Sequence, residues 1–185
     1  ALPISMSKLL ETIESQLISQ EAIASRVAQL GETLSQEYRD LDPLVVVVLK
    51  GSAVFASDLI RAMTCCLQVD YIGTSSYGDD TQSSGQVRIV KDIEAPLKGR
   101  HVLLVEDIVD TGLTLDYLLK TLGLREPASL KICALLDKPS RRKVDVPVEH
   151  IGFSIDDHFV IGYGLDYASR YRQLPYIGVL RLESA

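Results

Sequence analysis

The stretch VLLVEDIVDTGLTL, Val102 to Leu115, organises the reading of the chain. Its first four residues are aliphatic without alternation, the pattern of a strand buried on both faces. Glu106-Asp107 close the run, Asp110 adds a third carboxylate, and Thr111-Gly112 lead into a helix from about Leu113 to Leu122, with Leu115, Leu118, Leu119 and Leu122 on one face. The order is strand, acidic turn, helix. In open α/β sheets ligands bind beyond the carboxyl ends of the strands, where such a turn lies. Backbone N–H groups entering a helix cradle a phosphate, Thr111 and Thr114 add hydroxyl donors, and Gly112 lets the main chain come close. Glu106 and Asp107 suit a second task, holding two ribose hydroxyls or a divalent ion that bridges them, and Asp110 can accept a proton. A plainer reading uses the same residues as an acidic cluster at a helix start.

Working outward, Val45 to Leu49 form a second run of the same kind, broken by Gly51-Ser52 and followed by a helical pattern from Ala53 to Met63. Leu67 to Ser75 read as a strand. Tyr77 to Gln86, YGDDTQSSGQ, hold almost nothing apolar and several turn formers, so they read as a long exposed loop. That loop either joins a ribbon running from Val69 to Val90 or folds over a site. Upstream, Ile23, Val27, Leu30 and Leu34 fall on one helical stripe, Ser19 is the N-cap, Glu21 sits in the first turn, and Pro43 marks the stop. Downstream, Gly123 and Pro127 end the third helix and Leu130 to Leu136 supply another strand. Repeated strand–helix units predict an α/β fold, a mostly parallel central sheet with helices on both faces. The last third, with Phe153, Phe159 to Ile161 and Ile177 to Leu180, predicts a small strand-containing appendage.

The chain has 185 residues, 46% of them hydrophobic, enough for one core, and shows no repeat, linker or low-complexity tract; one domain is expected. Its net charge of −6 argues against a general nucleic-acid binder. Three cysteines without a pairing pattern fit a reducing compartment. The longest aliphatic run, LVVVVL from Leu44, is far below the roughly 20 residues of a membrane span, and no basic, apolar secretion signal is visible. The expectation is a cytoplasmic protein without membrane association.

The Val102–Leu115 stretch resembles the ribose-phosphate-pyrophosphate binding signature of the type I phosphoribosyltransferases: an aliphatic strand, two acids, two aliphatic residues, then D-T-G-x-T. LKGS at Leu49 to Ser52, SSYG at Ser75 to Gly78, LLDKP at Leu135 to Pro139 and FVIGYGLDYASRYRQLPYIG at Phe159 to Gly178 narrow the resemblance to the bacterial hypoxanthine (hypoxanthine-guanine) phosphoribosyltransferases. It runs from about Ile18 to Leu180. It implies a type I phosphoribosyltransferase-like fold, a single domain over residues 1–185, and a hood formed mainly by N-terminal residues and approximately 138–175. It implies an enzyme of purine salvage that moves the 5-phosphoribosyl group from 5-phosphoribosyl 1-diphosphate to hypoxanthine and guanine, giving IMP or GMP and pyrophosphate, with magnesium (Mg2+) as cofactor and a homodimer or homotetramer as its assembly.

Carried over position by position, the resemblance implies that Asp110 is the general acid/base beside purine N7. Ile108 and Val109 contact substrate, and the backbone of Asp110, Thr111, Gly112, Leu113 and Thr114 holds the 5′-phosphate. Glu106 and Asp107 contact the ribose hydroxyls, directly or through magnesium, and Asp166 is the second magnesium contact. Lys50 and Gly51 form the pyrophosphate loop, where family members often have a cis bond before the lysine, and Arg172 is a further pyrophosphate contact. Lys138 donates to the purine 6-oxo oxygen, Phe159 stacks on the base, and the backbone at Val160 reads its other edge. The loop Ser76 to Gly85, led by Ser76 and Tyr77 and hinged at Gly78 and Gly85, covers the site.

Each of these residues has an ordinary alternative. Lys50 suits a solvent-facing strand end and Phe159 a core position. Lys138 opens a basic run with Arg141, Arg142 and Lys143, the pattern of a solvated surface. Asp166 and Arg172 suit a helical brace. Departures from the family pattern are His158, expected to modify the site from nearby, Asp156-Asp157, and the acidic Asp79-Asp80, expected to point outward. The competing function is a catalytically weak or inactive sensor of phosphoribosyl nucleotides that binds nucleic acid; a structural homo-oligomer is a third reading.

Overall fold

The computed structural model describes residues 13–76 and 87–181. Its elements in chain order are β1 (Ile13–Ile18), α1 (Gln20–Glu37), β2 (Leu44–Leu49), α2 (Ser52–Ala62), β3 (Gln68–Ser76), β4 (Val87–Lys91), β5 (His101–Val109), α3 (Leu113–Gly123), β6 (Ser129–Asp137), a 3-10 turn at Pro139–Arg141, β7 (His150–Ser154), β8 (Val160–Ile161) and β9 (Ile177–Leu180). Six strands form the main sheet in the order β4-β3-β2-β5-β6-β7, parallel except for β4, and β1-β9-β8 form a small antiparallel sheet. This is the expected mostly parallel sheet with a strand-containing hood.

The runs without alternation explain the layering. Val45 and Val47 point into one core with Ile23, Leu30 and Leu34 of α1 and Phe55 and Leu59 of α2. Leu44, Val46 and Val48 point into the other, with Leu115, Leu118 and Leu122 of α3. Burying each of these side chains contributes about 1.5–3 kcal/mol before chain entropy is set against it. Ser19 caps α1 as read from the sequence, its hydroxyl accepting from Ala22 N at 3.2 Å. The second helix begins one residue early, at Ser52, and Met63 caps it.

Two differences from the sequence reading matter. Glu106 and Asp107 do not form a turn: β5 runs on to Val109. The cause is the ladder with β6, whose pairing continues to Val109 opposite Asp137, whereas that with β2 stops at Val47 opposite Val105. The acids therefore lie on a strand whose β2-facing edge is open. Phe153, assigned to the appendage, lies in β7 and extends the main sheet, and the N-terminal residues expected in the hood enter it as a strand, β1 beside β9, that the sequence pattern did not show. The antiparallel β3–β4 pair is the ribbon expected between Val69 and Val90, and the loop calls at Tyr77, Gly78, Asp79, Asp80 and Gly85 lie outside the described residues.

Candidate active site

From β2 the chain crosses through α2 to β3 on one side; from β5 it crosses through α3 to β6 on the other. Adjacent strands that diverge in this way leave a crevice at their carboxyl ends. A cavity of about 290 Å³ lies there, lined by Lys50, Gly51, Glu106, Asp107, Ile108, Val109, Asp110, Thr111, Gly112, Thr114, Asp166 and Arg172. The sequence reading had missed Thr74 near the end of β3, which also lines it, although it directly precedes the SSYG segment.

The pyrophosphate-loop candidates are set by contact. The Leu49–Lys50 bond is cis. A Cβ at Gly51 would sit 1.5 Å from Asp107 Oδ2, so a side chain there would displace this carboxylate from its present position. The Ser52 hydroxyl touches the Val48 carbonyl and, at 3.1 Å, Glu106 Oε1. Glu106 Oε1 also accepts from Asp107 N at 3.1 Å, and Asp107 Oδ1 from Ile108 N at 2.8 Å. Burial pushes the Glu106 carboxyl well above the usual glutamate range, and the adjacent Asp107 charge pushes the same way. Burial also raises Asp107, against the lowering effect of its hydrogen bonds and of Arg172.

The phosphate-cradle candidate follows. Gly112 has φ +84° and precedes α3, and a side chain there would drive its Cβ to 2.6 Å from the Val144 carbonyl. The first-turn N–H groups of α3 have no acceptor within the helix, as at any helix start. The Thr111 carbonyl accepts from Lys143 N at 2.9 Å and Val144 N at 3.2 Å, so the 142–144 segment lies behind the cradle. Leu113 is the one member of the cradle sequence absent from the cavity wall.

Asp110 is gripped at both ends. Its carboxylate accepts from Arg141 Nε at 3.4 Å and its carbonyl from Arg142 Nη1 at 2.8 Å. Arg141 Nη1 also lies 3.5 Å from Asp157 Oδ2, whose other oxygen is 3.8 Å from Lys138 Nζ. These arginines were read as a solvated charge run; Arg142 is instead partly buried, bonded through Nη2 to the buried Asp137 carboxylate.

The base-recognition candidates stand apart from the cavity wall. Lys138 is buried, its amine donating to the His158 carbonyl, so His158 meets this group through its backbone. Phe159 is exposed, with Tyr167 edge-on at 5.5 Å, and its carbonyl accepts from Leu180 N at 2.9 Å; Val160 pairs with Val179 of β9. Across the cavity Arg172 pairs with Asp166 at 2.8 Å and donates to the Gly164 carbonyl at 2.6 Å. Ser76 ends β3 opposite Val87.

Comparison with known proteins identifies the family. The phosphoribosyl transferase domain profile matches residues 14–168. A hypoxanthine-guanine phosphoribosyltransferase of Bacillus subtilis is 51% identical over 91% of this chain and 94% of its own. A hypoxanthine phosphoribosyltransferase of Escherichia coli is 50% identical over 88% of this chain and 92% of its own. The crystal structure of a hypoxanthine phosphoribosyltransferase from Staphylococcus aureus superposes with a TM-score of 0.89 at 43% identity, covering 96% of both chains. With its crevice at the strand divergence and its acidic strand running into a candidate phosphate cradle, the chain belongs to the phosphoribosyl transferase domain family and groups there with the bacterial hypoxanthine-guanine phosphoribosyltransferases.

Proposed function

We propose that this protein transfers the 5-phosphoribosyl group of 5-phosphoribosyl 1-diphosphate to N9 of hypoxanthine or guanine, releasing pyrophosphate and giving IMP or GMP. The observation that carries it is one cavity walled by Asp110, Thr111, Gly112 and Thr114 of the candidate cradle, the Glu106–Asp107 pair and the two cations Lys50 and Arg172. The cradle binds the 5′-phosphate through main-chain N–H groups, and the acidic pair takes the ribose hydroxyls. As the C1–oxygen bond breaks, Lys50 and Arg172 offset the charge gathering on pyrophosphate. Asp110 holds or moves the proton at purine N7 while the N9–C1 bond forms. Lys138 donates to the 6-oxo oxygen, which a 6-amino group cannot accept, and Phe159 offers its exposed ring for stacking.

Magnesium fits this donor set. Two adjacent carboxylates raised by burial are short of compensating charge. Among the described residues no three His, Cys, Asp or Glu side chains gather around a point, so a magnesium ion here would take the rest of its shell from water and substrate oxygens. Glu106 and Asp107 would hold it, with Asp166 as the second contact, and it would draw negative charge from the leaving group.

Residues 1–185 act here as a single domain, its hood drawn mainly from N-terminal residues and about 138–175; a core shared by Ile18, Val160 and Ile177 with Val45 and Phe55 supports this. Assembly as a homodimer or homotetramer rests on the family resemblance and is read by light scattering. Among the described residues no helix is long and apolar enough to cross a membrane. The deciding experiment incubates purified protein, magnesium and the donor with hypoxanthine, guanine, xanthine and adenine in turn, detecting nucleotide and pyrophosphate. Product with hypoxanthine and guanine but not adenine is expected; no product with any base would overturn the proposal in favour of the sensor reading.

A further inference from the structure

We propose that Asp137 and Arg142 act as a positioning pair for the transfer, fixing the main chain at Asp110 so that its carboxylate and the phosphate cradle keep one spacing. The inference rests on the transferase reading above and extends it to residues outside the substrate cavity.

The geometry starts from the β5–β6 ladder. Asp137 is the last residue of β6 and stands opposite Val109, the residue before Asp110. Its carboxylate is buried and bonded to Arg142 Nη2, while Arg142 Nη1 donates to the Asp110 carbonyl at 2.8 Å. One guanidinium therefore ties a strand end to the main chain of the acid placed at N7. The backbone on either side follows the same path: Lys138 N donates to the Val109 carbonyl and Lys143 N to the Thr111 carbonyl, each at 2.9 Å. The segment that carries Lys138 is thus held against the segment that carries Asp110 and the cradle.

Arginine is suited to this because its planar fork sends two N–H donors to two acceptors at a fixed angle; a lysine ammonium is a point donor on a flexible stem. Mere surface charge does not account for the arrangement. The Arg142 and Asp137 side chains are 18% and 10% exposed, and charge pairs so far removed from water are often replaced by apolar residues without loss of stability. What an apolar pair cannot supply is the bond to the Asp110 carbonyl. Displacement of a reacting group by about 1 Å costs on the order of a hundredfold in rate.

The test compares wild type, R142K and the apolar double variant D137L/R142M, measuring melting temperature and steady-state kinetics with hypoxanthine and the phosphoribosyl donor. R142K is expected to lose about tenfold to a hundredfold in kcat, with the hypoxanthine KM changed by less than about threefold. D137L/R142M is expected to melt no lower than wild type and to show the same loss. Wild-type kcat in a folded D137L/R142M would overturn the inference whatever R142K does. So would a loss confined to melting temperature, the mark of a purely structural pair. Should the double variant not fold, the R142K split between kcat and KM decides the matter, and should neither variant fold, the pair is structural and the inference falls. A wild type without turnover would instead remove the transferase reading itself.

Discussion

At Gly51 a single added methyl carbon would come to 1.5 Å from Asp107 Oδ2. No rotamer of an alanine relieves that overlap, since the clash is with Cβ itself, so either the carboxylate or the start of α2 must move. Gly51→Ala is expected to raise the donor KM at least about tenfold while leaving hypoxanthine binding nearly unchanged, because the disturbed groups are those assigned to ribose and pyrophosphate. Equal KM values for wild type and variant would remove Gly51 from the donor site. Asp110 is the complementary case. Asp110→Asn keeps the carbonyl bond to Arg142 and removes the group assigned to the N7 proton. A fall in kcat of about 10²–10⁴-fold is expected, with the donor dissociation constant within about threefold of wild type; calorimetry and initial rates check both.

Among the elements, α3 carries the candidate cradle at its N-terminus and a fully buried residue, Leu118, in the core beneath. Leu118→Ala is expected to lower the unfolding free energy by about 2–5 kcal/mol in a denaturant titration, with the lower end expected if the sheet face can settle into the gap. A loss below that range would show that α3 is held by its ends and not by its apolar face. This helix was legible in the sequence because its signals are local: four leucines at helical spacing, a glycine before it and Gly123 at its end. Val45 to Leu49 were legible for the same reason. β1 was not, because only Ile18 of its residues is buried and its partner strand β9 lies at the other end of the described chain. The extension of β5 through Glu106 and Asp107 escaped too: the two acids imitate a turn, and only pairing with β6 keeps them extended. In the site, most motif residues of the two loops line the crevice, whereas the base-recognition candidates stand apart from its wall. Arg142 was not legible, since its charge run looks solvated until β6 sets Asp137 beside it.

For the whole molecule, acidity has an interior component. Glu106 is buried with its carboxyl raised first by that burial and then by Asp107. A folded-state value above the unfolded one means that the native state binds more protons in the interval between them, so stability falls as pH rises from the ordinary glutamate range through the folded value. Glu106→Gln removes the titration and keeps an acceptor for Ser52. Its melting temperature is expected to vary less than that of wild type between about pH 5 and 8, and to exceed it at the upper end. Parallel curves for the two proteins would show that Glu106 is not the group responsible. The hood has a different kind of consequence. It is closed by β1 and β9, which precede and follow every other element, and β9 holds the Phe159 carbonyl through Leu180 N. Such distant pairing is the slowest kind to form. On the ribosome, the candidate 5′-phosphate cradle can therefore assemble from residues already outside the exit tunnel, whereas the proposed stacking platform waits for β9: a nascent chain completes the pocket assigned to the 5′-phosphate before the one assigned to the base.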